Sequence, residues 1–145
     1  MANYMGVSRT NYFRVTDESK YQELFNNLCS EDEIHDFTKE KDGVIYHGFG
    51  CYGSVEYMVN VTVEGESEED DYEYDFDTFL KELQQIIPDD EAFMYFESGY
   101  EKLRYVTGFV IVCTNKEIKS MSLESWAITQ VKQLLGENFT TQIEY

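Results

Sequence analysis

All of the chain's excess charge is packed into its middle. Residues 31–99 hold 21 acidic side chains against 3 basic ones, whereas residues 1–30 hold three of each and residues 100–145 five of each. The formal net charge of −18 therefore belongs to one stretch, between two neutral flanks. Carboxylates at that density repel one another, so any fold this stretch enters must leave them facing water. The core must then come from the apolar positions between them and from the flanks. The material is sufficient: 42% of the 145 residues are apolar, with 12 Tyr and 10 Phe, which argues against disorder. The length suits a single domain covering 1–145.

The sign of the charge excludes binding driven by attraction to nucleic-acid phosphates or anionic lipid, and calls for a basic protein partner instead. No apolar stretch approaches the ~20 residues that span a bilayer. The opening residues, Met1 to Met5, lack the regions of a signal peptide, so the expected compartment is the cytoplasm. Cys29, Cys51 and Cys113 are odd in number and lack CxxC spacing, which fits reduced thiols.

Periodicity predicts the elements. Ser8–Val15 reads as a strand. Thr16 or Asp17 caps a helix whose buried stripe is Tyr21, Leu24, Phe25 and Leu28. Gly43–Phe49 and Ser54–Val63 read as two strands of a hairpin turning around Gly50 to Gly53. Phe76, Phe79, Leu80, Leu83, Ile86 and Ile87 mark a second helix, stopped by Pro88. Glu91–Glu97 and Leu103–Thr114 are strands separated by a turn centred on Gly99, with a short strand at Glu117–Met121. Ser122 or Ser125 caps a last helix, with Trp126, Ile128, Val131, Leu134 and Leu135 facing inward and Gly136 ending it; Thr140–Tyr145 reads as a closing strand. Hairpins rather than strict βαβ alternation imply an α+β fold, about three helices packed on a mostly antiparallel sheet.

The densest acidic run, Glu64 to Asp77, has nine carboxylates in 14 positions. Its plain reading is a solvated loop that keeps the protein soluble. From Asp71 to Asp77, however, carboxylates alternate with Tyr72, Tyr74 and Phe76. Extended chain would put the acids on one face at a spacing of ~6.6 Å, two steps of ~3.3 Å, close to every second phosphate of a duplex strand at ~3.4 Å each. Two further clusters, Glu31, Asp32, Glu33 with Asp36, and Asp89, Asp90 with Glu91, fall at expected loops. Together the three would form a negative field able to occupy a basic nucleic-acid channel.

Other chemistry is poorly signalled. An EF-hand loop started at Asp70 or Asp71 puts Asp75 or Phe76 where glycine is required. His47 reads as a hydrogen-bonded sheet histidine, and His35 adds no metal site. Cys51 near His47 lacks an orienting acid and an oxyanion loop. Gly48, Gly50 and Gly53 spell GxGxxG, but a strand follows instead of a helix, so turn geometry explains them. No catalytic residue, metal ligand or cofactor is assigned.

Two segments carry a resemblance: Ser8–Val15 followed by Thr16 and Asp17, and Gly99–Gly108 entering an apolar strand. They are similar to segments of small acidic proteins encoded by phages and mobile elements of Gram-positive bacteria. The resemblance implies a bacterial host cell and a need to survive host defence, the setting of anti-CRISPR and antirestriction inhibitors. It transfers no functional residue. The resulting expectation is a non-enzymatic DNA mimic that binds a CRISPR effector nuclease or a restriction enzyme. The expected contacts are Glu68, Glu69, Asp70, Asp71, Glu73, Asp75 and Asp77, then Glu31, Asp32 and Glu33, with Tyr72 and Tyr74 as aromatic anchors. The alternative is an accessory protein-interaction module of a mobile element whose charge serves solubility.

Overall fold

The structure, a computed structural model, describes residues 4–61 and 71–140. The chain is α+β, with three helices and antiparallel sheets among the described residues. Its elements in order are β1 (Met5–Thr10), α1 (Glu18–Asn26), β2 (Leu28–Cys29), β3 (His35–Asp36), β4 (Lys39–Lys41), β5 (Val44–Tyr46), β6 (Phe49–Tyr52), β7 (Glu56–Val61), β8 (Asp71–Tyr74), α2 (Phe76–Gln84), β9 (Phe93–Glu101), β10 (Tyr105–Cys113), β11 (Ile118–Ser122) and α3 (Leu123–Leu135). A large sheet runs β11-β10-β9-β1-β6-β3, a small one β2-β7-β8, and β4 pairs with β5.

The helix signals act as their chemistry dictates. Asp17 caps α1 by accepting the Lys20 amide at 3.0 Å, and Ser122 caps α3 by accepting the Ser125 amide at 3.2 Å. Gly136, at φ +101°, follows the end of α3. Tyr21 and Leu24 of α1, with Phe79, Leu80 and Leu83 of α2, are buried beneath the large sheet. At the centre, Phe13, Phe49, Phe79 and Phe93 meet edge to face or tilted, at centroid distances of 5.1–6.2 Å. Each such pair contributes about 0.5–1.5 kcal/mol beyond the area it buries.

Several expectations are corrected. The first strand is Met5–Thr10, ending before Val15. Gly43–Phe49 and Ser54–Val61 do not pair as a hairpin: β5 pairs with β4, β6 lies between β1 and β3, and β7 lies between β2 and β8, while residues 62 and 63 of the expected strand lie outside the described residues. The chain leaves the large sheet at Gly53, whose φ of +107° suits glycine, and Gly53 N–H donates to the Gly6 carbonyl at 2.8 Å. That redirection buries Val55 and Tyr57.

The β9–β10 turn is at residues 102–104, with Lys102 at φ +51°, and Gly99 is mid-strand. Gly99 is there for a close approach: a Cβ on it would come within 2.3 Å of the Tyr4 ring. The alternation from Asp71 to Asp77 stops at Tyr74, because Asp75 caps α2 and Asp77 lies in its first turn. The stripe Phe76, Phe79, Leu80 and Leu83 can be buried only if the helix starts there. Finally, α3 has no buried residue, and Trp126, Leu134 and Leu135, expected to face inward, are exposed. Of the expected closing strand, residues 141–145 lie outside the described residues.

Candidate functional site

The small sheet gathers two of the three acidic segments. β2 and β8 both pair with β7, β2 at Glu56–Tyr57 and β8 at Met58–Val61, so the acids after β2 and those of β8 border the same small sheet from opposite ends of β7. Glu31, Asp32 and Glu33 follow β2 and are exposed. Glu73, in β8, stands opposite Val59, and Tyr74 opposite Met58; both Glu73 and Tyr74 are exposed. Asp75 and Asp77, also exposed, continue from β8 into α2. Among the described residues, none of Glu31, Asp32, Glu33, Glu73, Asp75 and Asp77 is in an ion pair with a basic side chain. Their charge is open to an outside cation.

Asp75 also serves the fold. Its carboxylate accepts from the Asp77 amide at 3.1 Å and the Thr78 hydroxyl at 2.9 Å. The N-terminal end of the helix dipole favours both Asp75 and Asp77. The phosphate-like spacing expected of four acids on one extended face does not extend to these two, since they sit on a cap and a helical turn. Asp71 and Tyr72 belong to β8, while Glu68, Glu69 and Asp70 lie outside the described residues.

The third cluster is not part of this surface. Asp89, Asp90 and Glu91 lie beyond the C-terminal end of α2, the end away from Asp75. Arg14 engages Asp90 and Glu91 at 2.9 Å each, and those bonds hold the guanidinium pKa above its ordinary value. Asn115 donates to Asp89. Asp90 and Glu91 clamp the segment after β1 to the loop before β9, and Asp89 ties that loop to the β10–β11 turn.

One buried carboxylate outside the three acidic clusters carries no site signal in the sequence. Glu97, buried under β9, accepts from the Tyr95 hydroxyl at 2.8 Å, the Ser54 hydroxyl at 3.0 Å and the Ser8 hydroxyl at 3.2 Å. The Tyr95 oxygen in turn accepts the Val55 amide at 3.1 Å. Burial pushes the Tyr95 hydroxyl pKa up, with Glu97 adding to the rise. This network ties β1, β9 and the crossover after β6 together and meets the bonding needs of a buried acid.

His47 and Cys51 do not meet as a catalytic pair. His47 bonds Glu18 at 2.6 Å and Thr38 at 3.2 Å through its two ring nitrogens, with its ring against Tyr21. Cys51 accepts from the Ser30 hydroxyl at 3.4 Å. Burial pushes the Cys113 thiol up to about 11, which makes it a packing residue rather than a nucleophile. Among the described residues, no group of His, Cys, Asp and Glu is arranged to hold a metal ion, and no helix is long and apolar enough to cross a membrane.

The second surface is the far face of the large sheet. Along β9, Phe93, Tyr95 and Glu97 are buried, while Phe96, Ser98 and Tyr100 alternate with them on the open side. Register carries that face to Met5, Val7 and Arg9 of β1, Tyr52 of β6, Val106, Gly108 and Val110 of β10, and Met121 of β11. No position of the face in these five strands is Asp or Glu, although one residue in five of the chain is acidic. Its charges are Arg9 and Lys119.

At its rim α3 begins. Leu123 stands over Gly108, where a Cβ would come within 2.7 Å of Leu123 Cδ1. Val7, Phe96, Val110, Met121, Leu123 and Trp126 line a groove of about 460 Å³. The alternation that marks this face was present in the sequence. The sequence does not show that, among the described residues, a helix reaches the second side only at its rim, through the start of α3. No family model matches the chain, and neither a curated protein nor a solved structure does.

Proposed function

We propose that the protein is a non-enzymatic inhibitor whose acidic side occupies the basic nucleic-acid-binding surface of a host defence protein, a CRISPR effector nuclease or a restriction enzyme. The observation that carries this reading is the set of exposed carboxylates, Glu31, Asp32, Glu33, Glu73, Asp75 and Asp77, that border one small sheet and have no basic partner among the described residues. A carboxylate facing Lys or Arg takes the place of a phosphate without offering a bond to cleave. Competition, not chemistry, is the mechanism. Tyr74 beside these acids supplies a rigid aromatic contact. Glu68, Glu69, Asp70, Asp71 and Tyr72 extend the same sequence run and complete the proposed contact set.

The test is competition between the purified protein and labelled DNA for candidate nucleases over a range of salt. A mimic displaces DNA and binds more weakly as salt rises, because exposed charges are screened over about 8–10 Å near 0.1–0.15 M. Simultaneous binding of DNA and protein, with affinity indifferent to salt, would favour the second reading: an accessory interaction module of a mobile element. The apolar, acid-free face of the large sheet is what favours that alternative.

A further inference from the structure

We infer that the open face of the large sheet and helix α3 are the two halves of a self-complementary interface, and that their occupant is a second copy of this chain.

Each half lacks what the other has. A sheet with one face on the core needs a second layer on the other face when that face is apolar, and a helix with an apolar stripe needs a surface to lie on. Here both are left over in one molecule. Phe96, Val106 and Met121 on the sheet are 47%, 64% and 48% exposed, and Trp126 and Leu134 on α3 are 52% and 81% exposed. On α3, Leu123 already stands over Gly108 of its own sheet, while Trp126 or Ala127, Val131 and Leu134 recur at spacings of three to five, the stripe of a helix meant to be covered. The helix meets its own sheet chiefly at β10 and β11. At 13 residues α3 is about 20 Å long, and five strands at about 4.8 Å span about 19 Å, so it reaches across the face of a partner.

Charge selects the partner. Two bodies of −18 repel wherever their acids meet, and contact is least opposed where acids are missing. The open face is such a place, free of Asp and Glu in β1, β6, β9, β10 and β11, and α3 carries one acid, Glu124, and one base, Lys132. Area agrees. Eleven large apolar side chains of the face and α3 are about half exposed or more. At about 100 Å² for each half-exposed aromatic, and less for aliphatics, they offer roughly 800–1,000 Å². That matches the ~800 Å² per partner of a standard interface and exceeds the ~300–600 Å² of a typical monomer's largest patch. Reciprocal seating of α3 on the partner's sheet is an isologous, two-fold arrangement that closes at two copies. The acidic small sheets would then lie outside the interface.

Sedimentation equilibrium of the full chain from 1 to 100 μM tests this. The expected mass is twice 17.1 kDa. Because repulsion between the copies is screened while apolar contact is not, raising salt from 0.05 to 1 M should leave the dimer intact or tighten it. Phe96→Lys and Trp126→Glu, both at exposed positions, should each weaken dimerisation at least 100-fold with secondary structure by circular dichroism unchanged. Should either fail to fold, Val106→Lys, at the far end of the face, substitutes for it. A monomer at every concentration would overturn the proposal and leave the face to a different partner. A dimer unmoved by these folded variants would overturn the assignment of the interface, and a dimer that dissociates in 1 M salt would overturn its apolar character.

Discussion

The small sheet and the open face of the large sheet are both exposed, and they are built from opposite materials. At the small sheet, Glu31, Asp32 and Glu33 follow β2, and Glu73, Asp75 and Asp77 flank Tyr74 at β8 and the start of α2, none of them ion-paired with a basic side chain among the described residues. Across the large sheet, Met5, Val7, Phe96, Tyr100, Val106 and Met121 stand with Arg9 and Lys119 and without a carboxylate. Net charge alone would describe the molecule as uniformly repellent. Its distribution instead makes one side suited to cations and the other to apolar contact, so the two sides answer oppositely to salt.

The largest effect expected from disturbing this contrast is on binding. Glu31→Gln, Glu33→Gln and Glu73→Gln together remove three charges and keep side-chain size. They should weaken competition with DNA for the target roughly 10- to 100-fold, each rim contact being worth about 1 kcal/mol or less. The melting temperature should be unchanged or slightly raised as repulsion falls. Asp90→Asn with Glu91→Gln is the counterpart: competition is untouched and stability falls, because Arg14 loses its partners. Equal loss of competition from both sets would show that only total charge matters.

The two sides of β9 sharpen the contrast next. Tyr95→Phe leaves the Val55 amide without its acceptor and Glu97 without its closest donor, which should cost about 1–3 kcal/mol in urea unfolding. Phe96→Tyr, one residue away on the open side, should cost the monomer about 0.5 kcal/mol or less, since in the single chain its hydroxyl reaches water. Asp75 comes third: Asp75→Ala should lower stability by about 1 kcal/mol through loss of the α2 cap, and Asp75→Asn by only a few tenths. A full loss in Asp75→Asn would mean that its charge at the helix dipole, not its hydrogen bonds, supports α2.

The smallest effect at neutral pH, and the one that appears only in alkali, comes from the buried protonated groups. Tyr21, Tyr95 and Cys113 are raised from ordinary values of 10.0, 10.0 and 9.0, mainly by burial. Below pH 9 all three are protonated in both states and stability is fully present. Above it the unfolded chain releases protons that the folded chain keeps, so stability falls as pH rises, beginning near 9 with Cys113 and steepening past 10 with the tyrosines. Melting followed from pH 7 to 11 checks this, and Cys113→Ser should flatten the first part of the decline. A melt that rises across that range would contradict the burial of these groups.

Local chemistry made some features legible. Asp17, Ser122 and Gly136 mark helix ends because capping and termination depend on neighbours in the chain, whereas α2 ends at Gln84 with Gln85 as its cap, short of Pro88, and leaves Ile86 and Ile87 beyond the helix. The Asp71–Asp77 alternation misled because a period of two competes there with the helical stripe that begins at Phe76, and burial of Phe79 and Leu83 decides for the helix. The supposed hairpin at residues 43–63 misled because strand partners are chosen by tertiary pairing, and β6 and β7 each had better neighbours. The inward helix face misled because an apolar stripe demands a cover without saying that the same chain provides it.

By itself the sequence determined the α+β class, the placement of α1 and α2, and the confinement of the −18 charge to residues 31–99, since propensity, periodicity and charge are properties of neighbours along the chain. Only the tertiary structure decided which carboxylates are free and which are consumed. Glu97 goes to a buried hydroxyl network and Asp90 and Glu91 to Arg14, through contacts made 76 or more residues away in every case but those of Ser54 and Tyr95. It alone also left one side of β9 bare, because the cover of a sheet face depends on where distant helices come to rest.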